Sequence, residues 1–511
     1  MKKDGSTEIP EFLGKEPDVV IELKYPIDYF QSFITDEFLD LIVEQSNLYA
    51  VQQNVNKPLN TTRNEIEQWL GLVFYFSITK LANTRMHWSH KLTKLMNVAH
   101  SVMSRDKFEA VKRNFHLVDN SKQTDKMLKV RPLINQLRQK FNTIIMPQAL
   151  CIDEQLVPFK GKSQLKQYIP SKPHKWGYKL FVLADTNGII YDFFPYTGKI
   201  YPVENPDIPD LKASSNVVLH LAQIVPSQKN HLLYFDNWFT SLPLVQHLAT
   251  REIWCCGTVR APRIPGIPKG KTLNKELEKK ERGSYEELVF EVDTRDISFV
   301  RWHDNKIVHL ISNFARSAPV ATIEWYDSKQ KKKTELPCPD IVQQYNKSMG
   351  GVDLADCLLA LYRIHLRSKK YYMRLIFHML DMAIVNSWLL YKRDAKQLKL
   401  PNKDILPLAL FKLEVADALI KRGKPTTAKR GRPSSSSLEN EPKKKPRGQQ
   451  SSIYNVIRFD KIDHFPALGE KRNRCKNKNC NGKTRYMCQK CNVYLCITPK
   501  EPICFTNFHA E

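Results

Sequence analysis

No run of about 20 apolar residues occurs in this 511-residue sequence, so no transmembrane span is expected. The most apolar stretch, Tyr371 to Tyr391, carries Arg374, His378 and Asp381 and reads as a buried helix. The N-terminal MKKDGSTEIPEF lacks the apolar centre of a signal peptide. No internal repeat of fixed period is present. Cysteine is sparse through most of the chain, and its total of eleven is odd. Six of the eleven crowd between Cys475 and Cys504, which suggests metal ligation before disulfides. Acidic residues are also short. Asp plus Glu total 53 against 79 Lys plus Arg, a net +26, and that excess points to a polyanionic partner.

What is present can be placed along the chain. The 42% hydrophobic content supports a sizeable core, and the length suits two to four domains. Residues 421–450 hold ten basic and two acidic residues, and 451–511 hold eleven and five. The last 91 residues therefore carry +14 of the net charge. Residues 1–24 read as a loose arm. From 25 to 147 the pattern is helical, with Thr62-Arg63-Asn64-Glu65 at capping-box spacing before an apolar run, and Phe108, Val111 and Phe115 at helix spacing. Strand patterns begin near 148. Ala149 to Phe159 and Leu232 to Phe235 are strand candidates, and Tyr178 to Tyr196 reads as a hairpin turning at Asp185-Thr186-Asn187-Gly188. Residues 263–338 are basic and turn-rich, with a second hairpin from Ile297 to Asn313. Helix returns from Val352 to about Lys392.

Three aspartates stand where carboxylates are costly. Asp153 sits mid-strand among apolar neighbours, Asp236 follows Leu232-Leu233-Tyr234-Phe235, and Asp353 opens a helix after Met349-Gly350-Gly351-Val352. Asp356 lies three residues on, on the same helical face. A carboxylate among buried positions needs a partner. Mg²⁺ is one solution, because two or three carboxylates plus substrate phosphate oxygens complete its shell. Turn formation or helix capping is the plainer use of such residues.

The C-terminal spacing is Cys475-x4-Cys480-x7-Cys488-x2-Cys491-x4-Cys496-x7-Cys504-x4-His509, with His464 upstream. Six Cys and two His suffice for two tetrahedral Zn²⁺ sites. Alternating pairs suggest an interleaved arrangement, with His464, Cys475, Cys480 and Cys496 on one ion and Cys488, Cys491, Cys504 and His509 on the other. Few large apolar residues occur here, so metal is expected to supply much of the folding energy. The preceding linker contains Lys429-Arg430-Gly431-Arg432-Pro433. Arg430 and Arg432 in that core suit an AT-rich minor groove. Pro442-Lys443-Lys444-Lys445-Pro446-Arg447 reads as a nuclear localisation signal.

The words around the aspartates resemble the piggyBac family of DDE/DDD transposases. CIDEQLVPFKGK (151–162) is similar to the family's first catalytic strand and QYIPSKPHKWGYKLFVLAD (167–185) to its Lys-Pro-x-Lys-Trp-Gly segment. YFDNWFTS (234–241) and YNKSMGGVDLAD (345–356) resemble the second and third catalytic blocks, and MSRDKFEAVKRNFHLVDN (103–120) and KVRPLINQLRQKFN (129–142) match upstream. The blocks fall in family order from about residue 25 to the C-terminus.

The resemblance implies an α/β fold: an RNase H-like catalytic core (148–262 and 339–362) split by a β-rich insertion domain (263–338). A helical DNA-binding and dimerisation domain would come from 25–147 and 363–420, followed by a basic linker (421–452) and a zinc-binding cross-brace finger (453–511). It implies Asp153, Asp236 and Asp353 as the Mg²⁺ triad (two ions, or Mn²⁺), with Asp356 assisting. The implied activity is cut-and-paste transposition at TTAA through hairpin ends. The partners would be duplex DNA, both transposon terminal repeats and target, and further copies of the chain, in the nucleus. The alternative is a catalytically silent, host-adopted DNA-binding descendant. One departure is that the family often has Trp after the basic pair beyond the third Asp, where this chain has Lys369-Lys370-Tyr371. Lys369 and Lys370 suit phosphate contact, and Tyr371 can stack on an unpaired base or pack the helix. A second is that Cys475-x4-Cys480 stands where the family usually has Cys-x2-Cys, which puts Cys475 in question as a ligand.

Overall fold

The computed structural model describes residues 6–89, 98–122, 127–170, 172–265, 267, 272–292, 295–327, 331–422, 458–478, 480–497 and 504–510. The Arg430–Arg432 segment and the basic run 442–447 lie outside the described residues. Helices α1 (Pro26–Phe33), α2 (Asp36–Gln53), α3 (Arg63–Thr79), α4 (Val98–Val102), α5 (Arg105–Asn114) and α6 (Arg131–Phe141) come first. Strands β1 (Ala149–Pro158), β2 (Gln167–Tyr168), β3 (Trp176–Asp185) and β4 (Ile190–Pro195) follow. Then α7 (Lys212–Ala222), β5 (Leu232–Phe235), α8 (Leu242–Thr250), β6 (Trp254–Thr258) and α9 (Thr272–Glu278) alternate. Next are β7 (Tyr285–Val292), β8 (Arg295–His303), β9 (Ile307–Ser312), β10 (Ala321–Asp327) and β11 (Lys332–Cys338). They lead to α10 (Asp340–Ser348), α11 (Gly351–Leu361), α12 (Tyr371–Gln397) and α13 (Leu408–Lys421). The described chain closes with β12 (Pro466–Arg474), β13 (Lys483–Cys488), β14 (Val493–Tyr494) and α14 (Cys504–His509).

The chain forms two compact units. One comprises Met1–Leu23, Ser32–Ile34 and Asn120–Ile405, and the other Lys24–Gln31, Thr35–Asp119 and Leu406–Glu511. The first is built on a nine-stranded mixed sheet of order β2-β3-β1-β5-β6-β9-β8-β7, with β4 also paired to β3. β1, β5 and β6 run parallel, while β3 and β4 form the antiparallel hairpin turning at Gly188, whose φ of +87° only glycine adopts freely. The turn-rich stretch 263–338 contributes β7 to β9, and β9 pairs with β6, so these strands extend the same sheet. The β10–β11 hairpin is a separate two-stranded sheet.

α12 is among the described residues the one helix long and apolar enough to cross a membrane, yet 89% of its apolar window is buried inside the protein. Its buried Asn386 receives the Ile190 N–H and donates to the Ile190 carbonyl, which fastens it to β4. On the same strand, Asp192 is fully buried and accepts two hydrogen bonds from Arg138 of α6 (2.6 and 2.8 Å). These polar clasps explain why α6 and α12, assigned by sequence to the helical domain, cluster with the sheet. Helix is not continuous from Val352 to Lys392 either. Residues 362–370 are irregular, held where the Ile364 N–H donates to buried Asp381 (2.9 Å) and Arg374 donates to the Ile364 carbonyl.

In the second unit, the Thr62–Glu65 capping box starts α3, and buried Trp69 packs on Phe108 and Phe115. α13 lies so close to α3 that a Cβ on Gly71 would meet the Ala416 carbonyl at 2.7 Å. Arg422 then clamps Asp36 and the fully buried Glu67.

Candidate catalytic and metal centres

β1 is the strand from which the first site is built. It pairs with β3 on one side and runs parallel to β5 on the other, with Ile152 opposite Phe235. The next residue on each strand is Asp153 and Asp236, so the register places these carboxylates side by side. Glu154 donates its N–H to Asp153 Oδ1 (2.7 Å). Asp236 receives the Trp238 N–H (2.8 Å), and the tight turn after it is fixed by Arg263, whose Nη1 donates to the carbonyls of Asn237, Trp238 and Thr240.

The third carboxylate arrives on α11. The helix can start against β1 and β3 because residue 351 is glycine. A Cβ there would collide with the Asp185 carbonyl and come within 2.8 Å of Cys151 Sγ. The Gly351 and Val352 N–H groups donate to the buried Cys151 thiol instead. Asp353 in the first turn is exposed and faces Lys172, whose Nζ is 3.9 Å from its Oδ1 and donates to the Glu154 carbonyl at 3.2 Å.

The carboxylates act on one another electrostatically. Burial pushes the Asp153 carboxyl up to about 7, and the charges of Asp236 and Asp353 push the same way against Lys172. Asp236 is also raised, first by burial, with Glu154 adding to it. Burial raises Asp356 to about 6, opposed by Lys172, Gln155 and Arg363. The set is all oxygen, the donor chemistry of Mg²⁺ or Mn²⁺. By donor type these carboxylates could hold such an ion.

Sequence reading missed the supporting residues. Lys179 pairs with Glu154 at 2.5 Å, and buried Gln155 accepts from His378 Nε2 at 2.6 Å. The Lys-Pro-x-Lys-Trp-Gly segment was the available signal for Lys172, whereas Arg263 and His378 had none. Lys369 is exposed, Lys370 precedes α12 with its Nζ 5.7 Å from the Tyr372 ring, and Tyr371 meets Tyr372 edge-on.

The second site is the C-terminal ligand cluster, and here the expected partition is corrected. His464, Cys488, Cys491 and His509 form one set, and Cys475, Cys480, Cys496 and Cys504 the other, with the ligand atoms of each set within 4.8 Å of one another. His464 and Cys504 exchange places relative to the sequence reading. The hairpin register explains it. Pro466 opposes Cys488 at one end of β12–β13, which brings His464 to the Cys488–Cys491 knuckle. Arg474 opposes Lys483 at the other end, which sets Cys475 and Cys480 around the turn. Cys475, doubted for its spacing, is buried within its set.

Both sets fit Zn²⁺ by donor type. The histidines are oriented for it. His464 Nε2 faces Asp460 Oδ1 (3.0 Å) and His509 Nδ1 faces the Phe505 carbonyl (2.8 Å). Those partners only accept, so these nitrogens carry the protons. His464 Nδ1 and His509 Nε2 are left for metal, and they are the atoms 3.4 and 3.5 Å from Cys491 Sγ. Asp460 is itself held by Lys490 Nζ (2.6 Å). Asp460→Asn should therefore weaken zinc retention about 10- to 100-fold. Competition with a chromogenic chelator measures it, and an unchanged affinity would show that Asp460 does not orient His464.

Comparison with known proteins follows the same lines. A family model described as Transposase IS4 matches residues 25–388. The chain is 30% identical over 504 residues to human piggyBac transposable element-derived protein 3, covering 97% of this chain and 78% of that one. It is 27% identical to human piggyBac transposable element-derived protein 2, covering 93% and 76%. Its fold is similar to that in a cryo-EM structure of the piggyBac transposase synaptic complex with hairpin DNA (TM-score 0.64, 23% identity), covering 93% of this chain and 97% of that one.

Proposed function

This chain belongs to the piggyBac family of DDE transposases, and from that premise we propose that it is a cut-and-paste DNA transposase acting at TTAA. The observation that carries the reading is the register that sets Asp153 and Asp236 at adjacent positions of two parallel strands, with Asp353 at a helix start close enough to raise the Asp153 carboxyl further. The sheet supports an RNase H-like core of β4-β3-β1-β5-β6, interrupted in sequence between Asp236 and Asp353 by the segment that forms β7 to β11.

Asp153, Asp236 and Asp353 would hold the divalent ions, with Asp356 steadying the α11 side. Bound there, the ions supply Lewis acidity and a nucleophilic oxygen for in-line displacement at phosphorus. The reaction sequence balances as successive phosphodiester exchanges. Water cleaves one strand at the transposon end and releases a 3′-hydroxyl. That hydroxyl attacks the opposite strand within TTAA, closing a hairpin and releasing flanking DNA. Water reopens the hairpin, and the 3′-hydroxyls attack a target TTAA. The Lys172 ammonium, near Glu154 and Asp353, is placed to neutralise a phosphate oxygen entering the cluster. Lys369, Lys370 and Tyr371 would meet the DNA beyond the site. The C-terminal finger, whose basic Lys471, Arg472, Arg474 and Lys476 flank Cys475, would hold the transposon end. Two ends must be joined, so the working form is a homodimer or larger assembly in the nucleus.

The test is Mg²⁺-dependent cleavage of a TTAA-bearing DNA end by the full chain. Wild type should cut it, and Asp236→Asn should cut at least about a thousandfold more slowly, the loss of several kcal/mol of charge stabilisation. Binding by both proteins with the DNA left intact by both would assign the chain instead to the silent, DNA-binding class.

A further inference from the structure

Two fully buried polar side chains, Gln155 and His378, meet behind the carboxylate cluster, and the reaction sequence above uses neither. Gln155 lies two residues beyond Asp153 on β1, so the two share a face of the strand with Cys151. That is the face on which α11 starts, since a Cβ on Gly351 would press on Cys151 Sγ. His378 comes from α12, and its Nε2 lies 2.6 Å from Gln155 Oε1. One turn earlier on α12, Arg374 Nε donates to the Pro158 carbonyl at the end of β1 (3.0 Å). The helix is thus fastened to the strand at two points, and the imidazole has a fixed place.

The chemistry of the neighbours fixes which atoms face which. On its other side Gln155 faces Asp356: with Lys172 and Arg363 it opposes the rise that burial causes in that carboxyl. A carboxylate only accepts, so the amide nitrogen turns toward Asp356 and the amide oxygen toward His378. The amide oxygen also only accepts, so His378 Nε2 carries the ring proton and donates it. Burial, and then the charges of Arg374 and Arg363, keep the ring neutral. Gln155 Nε2 makes no hydrogen bond of ordinary length in the protein, and His378 Nδ1 has none either.

Such a pair is a poor device for stabilising a fold. Two apolar side chains of similar size would fill the same space and leave no buried nitrogen open. A donor left open beside a carboxylate has that carboxylate as its natural acceptor. We propose that His378, acting through Gln155, positions Asp356 for divalent-ion binding. The histidine N–H fixes the amide, and the amide nitrogen engages one oxygen of Asp356, which leaves the other oxygen for the ion. Partners that orient a ligand carboxylate in this way are typically worth about 10- to 100-fold in metal affinity. The inference rests on the transposase reading and adds two positioning residues to its metal site, neither of which meets the reacting atoms.

The test uses the zinc-loaded full chain with Mn²⁺ as probe, its binding read from the electron paramagnetic resonance signal of the free ion. The binding that counts is the part lost in Asp236→Asn. Gln155→Met combined with His378→Leu removes both polar groups and leaves none unpaired, so its thermal midpoint should be no lower than that of wild type. Its Mn²⁺ affinity should nevertheless be about tenfold weaker. His378→Gln keeps a donor where Nε2 stands and should bind Mn²⁺ as wild type does. The Mg²⁺ concentration for half-maximal cleavage should follow the same order. A merely structural pair would lower the midpoint and leave the affinity alone. Wild-type affinity in the double variant, or a His378→Gln protein as weak as the double variant, overturns the positioning role alone. A wild type with no Asp236-dependent Mn²⁺ binding overturns the metal site of the transposase reading, and this inference with it.

Discussion

Removal of zinc, or replacement of Cys488 by serine in the full chain, is expected to unfold residues 458–510. The reason lies in what this segment buries. Its core cluster is Cys475, Cys488, Cys491, Leu495, Cys504 and Phe508, so four of six buried residues are candidate zinc ligands and only two are ordinary apolar side chains. β12 is largely exposed along its length, and β14 is two residues long. Burial of Leu495 and Phe508 is worth roughly 2–3 kcal/mol each, far below the ordering entropy of some fifty residues. Structural zinc supplies about 10–16 kcal/mol in comparable fingers. The backbone is already arranged for thiolates, since the N–H groups of Cys491, Gly482 and Cys496 point at Cys488, Cys480 and Cys475 sulfur. The measurements are bound zinc per chain, expected at two, and protease cleavage within 458–510 before and after chelation. Content below two, or the same digestion pattern without zinc, would remove metal as the source of this segment's stability.

The ligands show how far a sequence carries and where it stops. Spacing named all eight, because thiolate density and a Cys-x2-Cys knuckle are local facts. Spacing did not pair His464 with Cys488, because that contact depends on the register of β12 against β13, which opposes Pro466 to Cys488 across 21 intervening residues. The central strands β1, β3, β4 and β5 were legible for the converse reason, whereas β2, β6 and β7 were not read. β1 and β5 are apolar runs that end or break at a carboxylate, and the Asp185–Gly188 turn carries the glycine its geometry requires. What joins them was not legible. Arg263 reaches back to the Asp236 turn from beyond β6, and His378 reaches Gln155 from another helix. Such contacts are long-range choices of side chains that look like ordinary surface or core residues in one dimension. The same holds for 362–370, where a helical pattern gives way because Asp381 and Arg374 offer the backbone of Ile364 better partners.

Asp153→Asn is expected to abolish cleavage and, in Mg²⁺-free buffer, to make the sheet-containing unit more stable. The two effects have one cause. The folded protein holds Asp153 with its carboxyl raised from 3.8 to about 7, chiefly by burial and then by Asp236 and Asp353. A carboxyl whose folded value is raised binds a proton in the folded state while the unfolded chain has already lost it. Folding is therefore favoured below the unfolded value of 3.8, and this contribution is lost as pH rises through about 7. At pH 8 the charged carboxylate costs on the order of 2–4 kcal/mol, from a shift of about three pKa units with partial relaxation. Asn removes that charge and keeps the oxygen that accepts the Glu154 N–H. The midpoint of thermal unfolding should rise at pH 8, and the difference from wild type should close as pH falls toward 4. Added Mg²⁺ should stabilise wild type, by binding the folded state, and leave Asp153→Asn where it was. A variant less stable than wild type at pH 8 would mean that the protein itself satisfies this carboxylate. In that case no electrostatic need for a divalent ion at Asp153, Asp236 and Asp353 would remain.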